Sequence, residues 1–303
     1  RLNLSDLETS KRYNFIRGDI GDDKLVNKIL RRYKFDAVIN FAAESHVDRS
    51  IIDTSKFIKT NVMGAYVLLE AVRMRKVPRF IYISTDEIYG DVPVGIATSE
   101  SYPINPTNPY AASKAAADVM VQAYMKTHKL PALIIRSSNN FGPYQYPEKL
   151  IPVIITSIIE GKKIPVHGNG KQIRSWVHVL DFCNALDLMI HRAEDFKIYN
   201  INGERKSNLE VIRLIAKTLG VKPEKYIHYI NDRPYSDAYY FPDSSKIKKE
   251  LGWERVISFD DSIGDLVKWY IDNKKWWQKI KSKREFRNHY EKQIKGVFRL
   301  RGR

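Results

Sequence analysis

The sequence predicts an α/β chain built on a doubly wound parallel sheet, followed by a smaller C-terminal substrate-binding region. Two observations carry this. Through the first 140 residues, β-branched and aromatic runs alternate with longer stretches of helical periodicity. Beyond Asn140 the texture changes, with shorter elements punctuated by Gly142-Pro143, Gly161, Gly168-Asn169-Gly170 and Asp232-Arg233-Pro234.

In chain order, Asn14–Arg17 reads as a short strand and Asp22–Tyr33 as a helix. Asp36–Phe41 is a continuous apolar strand, and a helix runs through Asn61–Arg75. Next come a strand at Arg79–Ser84, a helix over Pro109–His128 and a strand at Ala132–Ser137. Such βαβα alternation gives a parallel sheet covered on both faces, of the Rossmann-like kind, with ligand sites beyond the carboxyl ends of its strands. We therefore assign residues 1–140 to a dinucleotide-binding unit. Residues 141–273 form mainly a substrate-binding region, in which Trp176–Arg192 returns toward the sheet, and 274–303 form a basic tail.

Composition narrows the function. The chain has 303 residues, 43% hydrophobic and 28% charged, with a formal net charge of +16. The segment Lys274–Arg303 holds twelve Lys or Arg against two acidic residues, so ten of those sixteen charges sit there. A basic extension of this kind reads as a solvated tail, and no nucleic-acid-binding module accompanies it. The single cysteine, Cys183, excludes an internal disulfide, and the seven histidines show no metal-ligand spacing, so no metal is expected. No membrane-length apolar stretch and no signal peptide are seen, and a cytoplasmic setting is expected.

The chemistry lies at strand ends. In Tyr110-Ala111-Ala112-Ser113-Lys114 the Tyr and Lys are four apart and share a helix face, while Asn108 caps the helix and Pro109 suits its first turn. A phenol of pKa about 10 is a poor base at neutral pH, and a nearby ammonium favours its phenolate. Thr85-Asp86-Glu87 follows the apolar strand Phe80–Ser84. Its two carboxyls serve one site only if the strand has ended there, and adjacent carboxyls leave one of the pair protonated. Phe41-Ala42-Ala43-Glu44-Ser45 ends another strand with small residues, and Gly18-Asp19-Ile20 ends a third.

Together with Ser45–Ser50, Ser84–Gly90 and the run Ser138-Asn139-Asn140 to Glu148-Lys149-Leu150-Ile151-Pro152, these stretches resemble the dTDP-glucose 4,6-dehydratases of the extended short-chain dehydrogenases. The Thr-Asp-Glu triplet is the specific part, because epimerases of the superfamily share Tyr-x-x-x-Lys and usually lack it. The resemblance implies NAD bound by Asp19, Ile20, Ala42, Ala43, Glu44, Thr60, Tyr110, Lys114 and Asn140. It implies a nucleotide-sugar contacted by Ser45, Thr85, Asn139, Lys149, Leu150 and Arg174, with Pro165, Val166, Asn208, Asp232 and Arg233 around the nucleotide. Catalysis would fall to Tyr110, Lys114, Thr85, Asp86 and Glu87, in a homodimer paired through the Pro109–His128 helix.

Two departures stand out. The glycine-rich turn that opens a dinucleotide fold is missing from the sequence, and the resemblance sets it about 40 residues before Arg1. Tyr235-Ser236 stand where the family has Gly-His, and an Arg is missing near Ala238, which bears on diphosphate and base recognition. Three alternatives follow: a UDP-glucose 4,6-dehydratase, another nucleotide-sugar epimerase, or an inactive nucleotide-sugar-binding relative.

Overall fold

The computed structural model describes residues 2–233, 237–284 and 286–288. Tyr235, Ser236 and the basic stretch 289–303 lie outside the described residues.

The chain enters its first regular helix, α1 (Asp23–Arg32), through the Asp22 side chain, which accepts from Leu25 N at 3.0 Å. Then come β1 (Val38–Asn40), α2 (Val47–Ile52) and α3 (Thr54–Phe57). A π-helical turn over Ile58–Met63, in which Gly64 N–H reaches back to Lys59 O, leads into α4 (Gly64–Arg75). Strand β2 (Phe80–Thr85) ends in a 3₁₀ turn, Asp86–Tyr89, and α5 (Pro109–Thr127) leads to β3 (Ala132–Ser137). After it come β4 (Asn139–Phe141), α6 (Leu150–Ile159), β5 (Ile164–His167), β6 (Ile173–His178) and α7 (Val179–Arg192). The rest is β7 (Lys197–Ile201), β8 (Glu204–Ser207), α8 (Asn208–Thr218), β9 (Ile227–Ile230), α9 (Ser245–Leu251), α10 (Phe259–Asp272) and α11 (Lys274–Lys281).

Strands β1, β2, β3 and β7 form one parallel sheet in that order. Both faces of β2 and β3 are apolar, and the two faces feed separate cores. Phe80, Tyr82, Ala132 and Ile134 pack with α4 and α5, whereas Ile81, Leu133 and Ile135 pack with Phe182, Ala185 and Met189 of α7. The segment Trp176–Arg192 thus supplies the helix that covers the second face, and β7 completes the sheet. A third core joins α6, α8 and α10 over the small sheets β4-β6-β8 and β5-β9.

Two expectations fail. Asn14–Arg17 is irregular and carries no ladder, with Phe15 and Ile16 exposed. A four-residue run with polar ends becomes a strand only where its backbone groups find a neighbour to pair with. The basic segment from Lys274 does not begin as a solvated extension. Helix α11 carries Trp277 and Ile280 on one face, and both are buried, Trp277 within the third core, where its Nε1 donates to Tyr270 O at 2.7 Å. Apolar residues three apart within a lysine-rich helix make it amphipathic, and on its inner side Lys281 is paired with Glu160 at 2.7 Å.

Candidate active site

Strand β2 stops at Thr85, and its hydroxyl caps the following turn by accepting from Glu87 N at 3.3 Å. The turn brings Asp86 and Glu87 to one site, where a continuing strand would have thrown them to opposite faces. Gly90 closes it at φ +70°, where an added Cβ would lie 2.0 Å from Asn105 O, so no side chain fits. Asn108 caps α5 by accepting from Ala111 N at 2.9 Å, and its Nδ2 donates to Glu87 Oε2 at 3.4 Å. One residue therefore ties the start of the Tyr110 helix to the Glu87 carboxyl.

Thr85, Asp86, Glu87 and Tyr110 meet. The Thr85 hydroxyl donates to Asp86 Oδ1 at 3.4 Å and lies near enough to the Tyr110 phenol to favour its ionised form. Asp86 is buried, its Oδ2 has no hydrogen-bond partner, and burial with the Glu87 charge pushes its carboxyl up to about 7. Burial also raises Glu87; Arg174 and Arg233 pull it back, while Asp237 adds to the rise. Burial and the Glu87 charge drive the Tyr110 phenol well above its ordinary value.

The Lys114 ammonium rests on the sheet. Its Nζ donates to Ile83 O at 2.5 Å and stands 4.3 Å from the Tyr82 ring centroid. Burial brings this ammonium down to about 7, opposed by Asp118. A desolvated lysine turns to the nearest backbone acceptor, and here that is the strand beneath it.

Beside Glu87 lies a cavity of about 180 Å³. The expected substrate residues Ser45, Asn139, Lys149, Leu150, Pro165, Arg174, Asn208 and Arg233 all line it. Lys149 Nζ crosses to Ser45, donating to its carbonyl at 2.6 Å and its hydroxyl at 3.3 Å. Thr85 stands behind Glu87. Val166 faces the third core, and Asp232 is exposed and accepts from Gln172 Nε2 at 3.1 Å; neither lines the cavity.

The expected cofactor residues sit on a different stretch of the sheet's carboxyl edge. Exposed Asp19 uses Oδ1 to accept from Gly21 N at 2.8 Å, and Ile20 lies where any Cβ on Gly64 would meet it at 2.6 Å. Ala42 and Ala43 follow β1, and Thr60 sits in the π-helical turn. Asn61, unremarked in the sequence reading, organises this edge. Its amide accepts from Glu44 N at 2.8 Å and donates to Glu44 O at 3.0 Å and Ser113 Oγ at 2.8 Å. Asn140 donates to Ser137 Oγ at 3.0 Å, and its Oδ1 is buried with no partner.

Sequence reasoning also missed Asp48, His46, His167, Asp237 and Tyr240. Asp48 is fully buried and accepts from Arg233 Nε at 2.6 Å, with His46 and His167 each at 3.9 Å. Burial alone would raise its carboxyl, but Arg233 and the two imidazoles hold it far below the usual range. The cavity-lining Tyr240 receives the Arg174 guanidinium over its ring at 4.4 Å.

The described residues include no helix long and apolar enough to cross a membrane and no metal-binding cluster. A family profile described as GDP-mannose 4,6 dehydratase matches residues 2–266. The dTDP-glucose 4,6-dehydratase of Streptomyces niveus is 43% identical over 282 residues, covering 93% of this chain and 83% of that protein. The crystal structure of DesIV, a dTDP-glucose 4,6-dehydratase from Streptomyces venezuelae with NAD bound, superposes with a TM-score of 0.88 at 40% identity, over 91% of this chain and 85% of that one. UDP-glucose 4-epimerase from Thermus thermophilus, also with NAD, gives 0.81 at 27% identity, over 88% of this chain and 90% of that one.

Proposed function

The chain belongs to the GDP-mannose 4,6 dehydratase family, and from that premise we infer that it is an NAD-dependent hydro-lyase converting dTDP-glucose to dTDP-4-keto-6-deoxyglucose. The observation that carries this is the meeting of Tyr110, Asp86 and Glu87 around the Thr85 hydroxyl. An epimerase needs the phenol but has no use for a second acid and base.

The residues present fit NAD. Asn140 Oδ1 is a buried acceptor without a donor, and the bond from Lys114 to the Ile83 carbonyl uses one of three N–H groups. Asp19, Ile20, Ala42, Ala43, Glu44, Thr60, Tyr110, Lys114 and Asn140 would hold it. Bound there, NAD would supply a hydride acceptor for C4 of the sugar and, once reduced, a hydride donor for C6.

The chain's own groups move the protons. Tyr110 takes the proton of the C4 hydroxyl as that carbon becomes a ketone. Its raised pKa means ionisation needs help, and Lys114, one turn along the same face, is the cation in reach once it leaves the Ile83 carbonyl. The ketone acidifies C5, and Glu87 takes that proton. Asp86, held near neutrality, protonates the C6 hydroxyl, which departs as water. Glu87 then returns a proton to C5. Lys149, Arg174 and Arg233 supply positive charge to the cavity for the diphosphate, with Ser45, Asn139, Leu150, Pro165 and Asn208 around the nucleotide-sugar. On this reading the first unit (residues up to 140), joined by β7 and α9, holds the cofactor, and most of 141–273 holds substrate.

Homodimerisation through α4 and α5 belongs to the same proposal. Met63, Tyr66, Met74 and Val119 are each at least 41% exposed along these helices, an apolar row suited to a second copy. A cytoplasmic site of action accords with this soluble-substrate chemistry.

The test is stopped-flow absorbance of nicotinamide with protein expressed from its natural gene. Glu87→Gln is expected to oxidise C4 and stall, leaving reduced nicotinamide bound, while Tyr110→Phe leaves the cofactor oxidised. Release of 4-keto-6-deoxy sugar by Glu87→Gln near the parental rate would remove Glu87 as the C5 base. Parallel runs with UDP-glucose measure nucleotide preference.

A further inference from the structure

The four catalytic side chains stand on two elements: Tyr110 and Lys114 on α5, Asp86 and Glu87 on the 3₁₀ turn after β2. Arg136, on β3, joins them from below. Its Nε donates to Asp118 Oδ2 at 3.0 Å and its Nη2 to Asp118 Oδ1 at 2.8 Å, a bidentate grip on α5 one turn past Lys114. Its Nη1 donates to the phenol oxygen of Tyr89, the last residue of the catalytic turn, at 2.9 Å, and to Glu100 O at 2.8 Å. The Tyr89 hydroxyl donates onward to Asn200 Oδ1 on β7 at 2.7 Å. Arg136, Asp118, Tyr89 and Asn200 are each at most 1% exposed, and none lines the substrate cavity.

We propose that Arg136 is a positioning residue, a clamp that sets the acid–base turn at a fixed distance from the Tyr-Lys helix through Tyr89 and Asp118. A buried ion pair is a poor source of net stability, since desolvation of both charges offsets their attraction. What a guanidinium adds is geometry, because its planar fork fixes the direction of every bond it makes. Here one arm of the fork ends on each catalytic element. The clamp also occupies both oxygens of Asp118, the carboxylate that acts on Lys114, and so keeps it from drawing the ammonium down the helix.

The inference rests on the dehydratase reading, and its test separates the two. Tyr89→Phe cuts the turn's arm and leaves the ring in place. Arg136→Lys replaces the fork with a point charge. In Tyr89→Phe, which leaves the Asp118 grip intact, oxidation at C4 and the KM for dTDP-glucose should stay near parental values, whereas Arg136→Lys also frees Asp118 and should slow oxidation as well. Elimination should slow on the order of tenfold to a hundredfold, as a sub-ångström loss of alignment does, so reduced nicotinamide persists after mixing. A second readout needs no turnover: ¹³C-carboxyl NMR should show Asp86 titrating about half a unit or more away from its parental value in Tyr89→Phe. Parental decay of reduced nicotinamide, or an unmoved Asp86 titration in folded Tyr89→Phe, overturns the clamp. If Arg136→Lys fails to fold, Tyr89→Phe alone decides. A parent that does not turn over dTDP-glucose would refute the activity and leave the clamp to be judged on the titration.

Discussion

Replacing Asp86 by Asn should make the protein more stable as the pH rises, while removing the acid that elimination needs. In the fold the Asp86 carboxyl is pushed up to about 7 from an ordinary 3.8, first by burial and then by the Glu87 charge. Because the folded value lies above the unfolded one, the favourable contribution is complete below about pH 4 and is lost as the pH climbs through about 7. Linkage between those two values costs the parent about 1.5 kcal/mol at pH 5 and about 4 kcal/mol at pH 8.5. An amide does not titrate, so it carries one fixed offset for its unpaired N–H groups, and the stability gap should widen by about 2.5 kcal/mol between those pH values. Relief of Glu87 from its neighbour acts in the same direction. Urea denaturation of parent and variant at pH 5 and 8.5 measures the difference directly. A gap that stays constant with pH, or narrows, would mean that Asp86 is ionised in the folded protein at neutral pH and is not the acid. Activity gives the companion result: parental kcat should fall above about pH 7 and that of Asp86→Asn by about 10²–10⁴-fold at its optimum.

Asp48→Asn, which weakens the 2.6 Å grip on Arg233, should raise the KM for nucleotide-sugar several-fold with little change in kcat; an unchanged KM would remove Asp48 from substrate binding. Trp277→Ala, at a fully buried site, should cost about 3–5 kcal/mol in chemical denaturation, and a loss near zero would mean that α11 is detached in solution. Light scattering should give a dimer mass for the parent at micromolar concentration. Val119→Glu should shift it toward the monomer, and a monomeric parent would refute the α4–α5 pairing.

What was legible in the sequence was local. Asn108 and Pro109 announce α5, and its Tyr and Lys fall on one face by spacing alone. The apolar run into Thr85-Asp86-Glu87, with Gly90 close behind, gives both the strand and the place where it stops. The cavity residues came from family resemblance, and all but Thr85, Val166 and Asp232 of that substrate set line one space. Illegible features depend on distant partners. Strand β7, Lys197-Ile-Tyr-Asn-Ile, carries a Lys and an Asn that look unsuited to a sheet interior, until Asn200 finds Thr98 O, Glu100 and Tyr89. Lys114 was expected to sit beside a phenolate, and it rests on a carbonyl because burial penalises its charge. Asn14–Arg17 has a strand's composition and forms no ladder among the described residues.

The π-helical turn at Ile58–Met63 amounts to one surplus residue wound into the helix that ends in α4. Excising a single residue there would regularise the backbone, keeping the flanking turns in register but re-aiming the side chains within the turn. Asn61 could then no longer span Glu44 and Ser113 together. The π-helical turn is therefore a coordinate of the active site, and a one-residue deletion within it would disconnect the end of β1 from the catalytic helix.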